Sequence, residues 1–327
     1  MFFRSRVYML CEEGMLINME KRAESRLNHF RRNIKGSRQL YFLLLIPVVY
    51  VIIFSYIPMY GATLAFKNFN PAQGIMFSDW VGLKYFIRFF NSPSCYLIIK
   101  NTFVLSILNL VISLPFPIIL AIALNECRSR RMNKIVQMVT YAPYFISTVI
   151  MVALLMQWTS INGGLFNNVI GLFGMDPVNI FGDAKYFRPT YIISNIWQFT
   201  GFNSIIYLAA LSSIDPGLYE AARVDGANKL QKIWHIDLPG ILPTIIILLI
   251  LSAGQIMNVG FDKVYLMQNQ LNMQVSEIIS TYTYKVGLLD LDFSYSTAIG
   301  LFNSLVNVVL LVTFNLLSRK FSENSLW

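Results

Sequence analysis

Residues 238–259 read LPGILPTIIILLILSAGQIMNV, 22 positions from Leu238 to Val259 without one Asp, Glu, Lys, Arg or His. An α-helix needs about 20 apolar residues to cross a hydrocarbon core of roughly 30 Å. The segment is also apolar on every face, whereas strands of a transmembrane barrel are shorter and alternate in polarity. It therefore predicts a membrane-spanning helix.

Five more blocks of the same kind lie outward from it: Leu40 to Tyr60, Thr102 to Leu124, Ile135 to Trp158, Tyr191 to Leu211, and Ala298 to Leu317, again free of ionisable Asp, Glu, Lys, Arg and His. Across all 327 residues 55% are hydrophobic and 13% charged, too little polar surface to coat a soluble globule of this size. The expected fold class is all-α, a polytopic membrane protein with six transmembrane helices. Pro115, Pro117 and Pro143 fall in or near the second and third spans. Such prolines free backbone groups that neighbouring helices must satisfy, so the spans are expected to pack as a bundle.

The net charge of +9 does not indicate a nucleic-acid partner. Nine Lys or Arg precede Leu40, four lie in Glu126 to Lys134, three in Ser212 to Asp237 and two in the C-terminal tail, while the three alternate loops share the remaining eight. By the positive-inside rule both termini are expected in the cytoplasm of a cell-membrane protein. The first 38 residues have no signal-peptide pattern. Cys11 and Cys127 are expected on the inner side and Cys95 on the outer side, so neither a disulfide framework nor a metal spacing is present. The chain divides into a tail at 1–38, a first span with its outer loop at 39–95, a five-helix core at 96–318 and a tail at 319–327. In the outer loop, Trp80, Tyr85 and Phe86 to Phe90 read as an interfacial aromatic anchor. The outer loop from Thr159 to Arg188 is expected to hold a short helix, and the long one from Asp262 to Thr297 to meet an external partner.

The loop before the quoted span carries the most specific signal. Asp215 is a good N-cap with Pro216 at the first helical position, and Gly226 supplies the stop. A short helix is expected there and a second from about Asn228. The pattern Glu220-Ala221-Ala222, three residues, Gly226, nine residues, Ile236, one residue, Leu238-Pro239 resembles the EAA loop of binding-protein-dependent ABC importers. Further matches to the sugar branch, nearest the permeases for polysaccharide fragments, are Tyr56-Ile57-Pro58-Met59-Tyr60-Gly61, Trp80-Val81-Gly82-Leu83-Lys84, Leu124-Asn125-Glu126, Tyr141 to Ser147 and Gly260-Phe261-Asp262. One departure is Met267-Gln268-Asn269-Gln270 where many sugar permeases have Gly-Gly-Pro.

The resemblance implies a type I importer permease core and a non-catalytic subunit for an oligosaccharide, with a pectin-derived fragment as candidate cargo. Glu220, Ala221, Ala222, Arg223, Asp225, Gly226, Ile236, Leu238 and Pro239 would form the coupling loop. Leu218 and Tyr219 would serve as apolar anchors on the ATPase. The implied partners are two copies of an ABC ATPase, an extracellular solute-binding protein, membrane lipid and a second permease subunit, a related chain rather than a copy. No cofactor is expected on this chain. ATP and Mg would sit on the ATPase, since no G-x-x-x-x-G-K-[ST] phosphate loop occurs here.

Ion-coupled carriers place titratable groups inside their spans, and these spans have none, which weighs against that alternative. A permease for a non-sugar solute stays open. Amides and aromatic faces suit sugar recognition. Asn195, Trp197, Gln198, Phe202 and Asn203 in the fourth span, Gln255 and Asn258 in the fifth, and Asn303 and Asn307 in the sixth are the candidate path residues. Interhelical hydrogen bonding is the competing role for each amide.

Overall fold

The computed structural model describes residues 38–321. The basic N-terminal cluster, Cys11 and His29 lie outside the described residues, as does the tail beyond Phe321. The chain separates into two compact units, Met1–Ala62 and Thr63–Trp327. The boundary falls inside the segment assigned to the first span and its loop.

In the first unit, α1 (Arg38–Val51) continues through a π-turn at Ile52–Tyr56. Residues 40–60 are exposed along their whole length, and the apolar side chains among them suit contact with lipid.

The second unit opens with a two-stranded antiparallel ribbon, β1 (Lys67–Asn68) and β2 (Asp79–Trp80), in register Lys67 with Trp80. Then come α2 (Lys84–Phe90), α3 (Pro93–Ser113) and α4 (Pro115–Asn125). The aromatic run read as an interfacial belt is partly core. Tyr85 and Phe89 are buried against Ile98, Ile256, Ile279 and Ile299, because the helix turns every fourth ring inward. Trp80 and Phe90 remain exposed.

The third expected span is broken. It consists of α5 (Arg130–Tyr141), a 3₁₀ turn at Ala142–Phe145 and α6 (Thr148–Trp158), bent by 101°. Pro143 sits in that turn, and Ser147 caps the next helix by accepting from the Ile150 N–H. After the short helix α7 (Leu165–Leu172) comes α8 (Ala184–Ser212), 29 residues long. Besides the bent pair, four helical runs are long and apolar enough to cross a membrane: Gln39–Phe66, Pro93–Asn125, Lys229–Ala253 and Phe293–Lys320. The 29-residue helix is more polar because it carries Ser194, Gln198 and Ser204, all buried within the bundle. At its centre the backbones close up: a Cβ on Gly201 would lie 2.0 Å from the Thr140 carbonyl oxygen of α5.

The loop before the fifth expected span holds α9 (Pro216–Val224) and α10 (Lys229–Lys232). The second is not a separate projecting helix. It passes through a π-turn at Ile233–Asp237 directly into α11 (Leu238–Ala253), giving one rod from Lys229 to Ala253. That rod ends before the apolar block does. Asn307 accepts from the Met257 N–H at 3.0 Å, satisfying backbone that has left the helix.

The long last loop is folded into α12 (Phe261–Met267), α13 (Met273–Ser276) and α14 (Ile279–Tyr284), and α15 (Phe293–Phe321) returns through the bundle. Asn101 donates to the Gln274 and Glu277 carbonyls and accepts from Arg188, and Lys285 is paired with Glu277 at 2.8 Å. This polar network, with no low-complexity stretch, is why the loop is ordered.

Candidate functional site

Two regions of the second unit carry the residues singled out by sequence. They lie at opposite ends of α11.

At the loop end, α9 begins as its sequence predicts. Asp215 accepts from the Gly217 N–H at 2.8 Å, Pro216 takes the first helical position, and Gly226 ends the turn at φ +75°. Asn228 and Gln231 then form a reciprocal capping box. Glu220, Ala221, Arg223, Asp225 and Gly226 are exposed, and Ala222 and Ile236 are half-buried. A shallow pocket of about 370 Å³ opens between them, lined by Ala222, Asp225, Gly226, Lys232, His235 and Ile236. Leu238 and Pro239 lie at the foot of the span.

Tyr219 faces the other way. Its hydroxyl donates to Asp237 Oδ1 at 2.5 Å, and Asp237 is fully buried. Burial and the neighbouring Asp237 carboxylate push the Tyr219 phenol above its ordinary pKa, so it keeps its proton and donates. Tyr219 is thus an inward tether rather than an outward anchor, while Leu218 and Val224 stay exposed. Lys229 reaches Glu126 at 3.7 Å, a second link from this loop to the end of α4. Sequence reading missed Asp237 and Glu126 because each pairs across at least eighteen residues.

At the far end of α11, a cavity of about 550 Å³ is lined by Asn109, Tyr191, Asn195, Ser252, Gln255 and Asn258, among others. Asn195 donates to Asn109 Oδ1 at 3.0 Å, Asn258 to Gln255 Oε1 at 3.1 Å, and Asn303 to Asn258 Oδ1 at 2.9 Å. Gln255 and Asn258 are exposed on one face. A smaller cavity of about 240 Å³ continues past Asn109, Asn195 and Asn203. No lining residue of either cavity is charged. Such a surface offers neutral donors and acceptors in an apolar frame, the arrangement that binds hydroxyl-rich solutes.

Four of the sequence candidates stand elsewhere. Gln198 is buried and donates to the Ile146 carbonyl at 3.1 Å, holding the kink between α5 and α6. Asn307 is buried on the Met257 N–H. Trp197 meets Trp158 edge-on at 6.0 Å, and Phe202 stacks on Tyr144. Asn109 and Tyr191 line the cavity but were missed. An Asn inside the apolar block Thr102 to Leu124 was the available signal.

Residues 113–323 match the family described as binding-protein-dependent transport system inner membrane component. The chain belongs to that family. The permease is 45% identical over 290 residues to the polygalacturonan/rhamnogalacturonan transport system permease protein YteP of Bacillus subtilis (strain 168), covering 89% of this chain and 90% of the relative. To Protein LplB of the same strain it is 40% identical, covering 90% and 92%. Among solved structures, a chain of a bacterial alginate ABC transporter, in complex with an alginate pentasaccharide-bound periplasmic protein, superposes at TM-score 0.83. That match has 39% identity and covers 90% of the permease and 99% of that chain. The permease is therefore a non-catalytic membrane subunit of an ABC importer of the sugar-transporting branch that works with a binding protein.

Proposed function

We propose that the permease carries oligosaccharide fragments of a uronate-containing polysaccharide, a pectin-derived chain being the candidate cargo. Two ABC ATPases drive it, and it pairs with a related second permease subunit. The observation that supports this reading is the uncharged, amide-lined cavity around Asn109, Asn195, Gln255 and Asn258. It can engage sugar hydroxyls without demanding a particular charge. The relatives named for polygalacturonan, rhamnogalacturonan and alginate give the polymer class.

Energy enters through α9 and the stretch to Pro239. Ala221 and Ala222 allow close approach of a partner surface, exposed Leu218 and Val224 supply apolar contact, and Glu220 and Arg223 supply charge. Both termini face the cytoplasm on this reading.

The test is ATP hydrolysis by the assembled transporter in liposomes with its binding protein. Oligogalacturonides are expected to stimulate hydrolysis and to be taken up. Glu220→Arg and Gly226→Val are expected to lower ATP-driven uptake at least tenfold with membrane insertion retained. Full uptake in both variants removes the coupling assignment, and no response to any oligosaccharide removes the cargo assignment.

A further inference from the structure

Beside the amide-lined cavity lies a second one of about 420 Å³, lined by Phe261, Ser280, Thr283, Tyr284, Gly300 and Asn303, among others. The two share a partition. Asn258 lines the first and Asn303 the second, and the Asn303 amide donates to Asn258 Oδ1 at 2.9 Å. They also abut along the chain, since Gly260 lines the first and Phe261 the second.

Their chemistry differs. The Phe261 and Tyr284 rings stand 5.1 Å apart, tilted by 48°, and Tyr265 joins both, at 5.5 Å and 5.1 Å. All three rings are only half-buried. An aromatic platform flanked by the Thr283 and Tyr284 hydroxyls matches a pyranose ring, which has an apolar C–H face and a rim of hydroxyls. None of the residues lining this cavity is charged, so it engages the ring and its hydroxyls and sets no requirement on the carboxylate that a uronate carries.

We infer that this cavity is a second saccharide subsite, holding the sugar ring next along the chain from the one in the amide-lined cavity. The inference deepens the proposed function and rests on it. Two subsites in series make the permease sensitive to oligosaccharide length, because a short fragment fills one and a longer fragment both.

Gly300 provides a clean plug. It lies in α15, and a Cβ built there meets nothing within 4 Å. Gly300→Ala therefore adds its methyl without displacing a neighbour, Gly300→Leu extends further into the cavity, and each replaces the poorest helix former after proline. In the liposome-reconstituted transporter with its ATPases and binding protein, pentamer-stimulated and dimer-stimulated uptake of oligogalacturonides are measured side by side. The pentamer-to-dimer ratio is expected to fall at least fivefold in Gly300→Leu and by less in Gly300→Ala, a smaller plug that keeps the test alive if the larger variant fails to assemble. Phe261→Ala is expected to lower the same ratio by removing the platform. A ratio equal to wild type in Gly300→Leu and Phe261→Ala overturns the subsite alone. A wild-type transporter that answers to no oligosaccharide overturns the subsite together with the function it rests on.

Discussion

Lys263 is 4% exposed, its ammonium has no hydrogen-bond partner, and its nearest favourable contact is the Tyr191 ring at 5.4 Å. Burial pulls its pKa down to about 8. The unfolded chain holds that proton up to about pH 10.4, so between these values the unfolded state binds more protons and stability rises with pH. Below pH 8 the buried charge costs about 3 kcal/mol, partly offset by the ring. Lys263→Met is expected to raise the detergent-solubilised melting temperature at pH 7 and to flatten its rise between pH 8 and 10. A midpoint unchanged at pH 7 contradicts this account. Tyr219 supplies the complementary case. Tyr219→Phe leaves the buried Asp237 carboxylate without its donor, a loss of about 1–3 kcal/mol. Cleavage within 216–237 by limited proteolysis is expected to speed up by about tenfold, 1.4 kcal/mol being one decade, and an unchanged rate shows that the tether is idle. From sequence, Leu218 and Tyr219 look alike as apolar neighbours. Only the Asp237 contact, eighteen residues on, tells them apart.

Local signals set the elements well where the controlling residues are adjacent. Asp215, Pro216 and Gly226 define α9, and each does so within its own turn. The α5–α6 break was less legible, because a proline in an apolar run is compatible with a kink of any size. The 101° bend depends on the Ser147 cap and on Gln198, which holds the Ile146 carbonyl from another helix. Close helix contact is similarly hidden in the sequence. Gly201 is one glycine among 18, yet a side chain there collides with the Thr140 carbonyl of α5. Gly201→Val is expected to destabilise the fold by about 1–3 kcal/mol or more through overpacking, read as a lowered melting temperature. Wild-type melting of that variant rules out the contact.

For the whole molecule, the apolar blocks and the EAA-like spacing identified class and family because both are written along one dimension. The cavities were only partly legible. Asn195, Gln255 and Asn258 line the larger one, while Gln198 and Asn307 spend the same chemistry on backbone groups within the bundle. Spacing gives the face of a helix but not what that face meets. The basic loops predict the orientation across the membrane. In a Cys11→Ser, Cys95→Ser, Cys127→Ser background, Asn228→Cys is expected to react with an impermeant thiol reagent only from the cytoplasmic side, and reaction from outside inverts the topology.

The continuity of Lys229–Ala253 has a mechanical consequence. At 1.5 Å per residue, these 25 residues form a strut of about 37 Å. Its lower end emerges from the capping box beside Gly226, and its upper end frays into Gln255 and Asn258 at the cavity wall. In a continuous helix a tilt imposed at the lower end is carried to the upper end as movement of the cavity-lining amides. The Asn307 clasp on Met257 carries that movement on to α15.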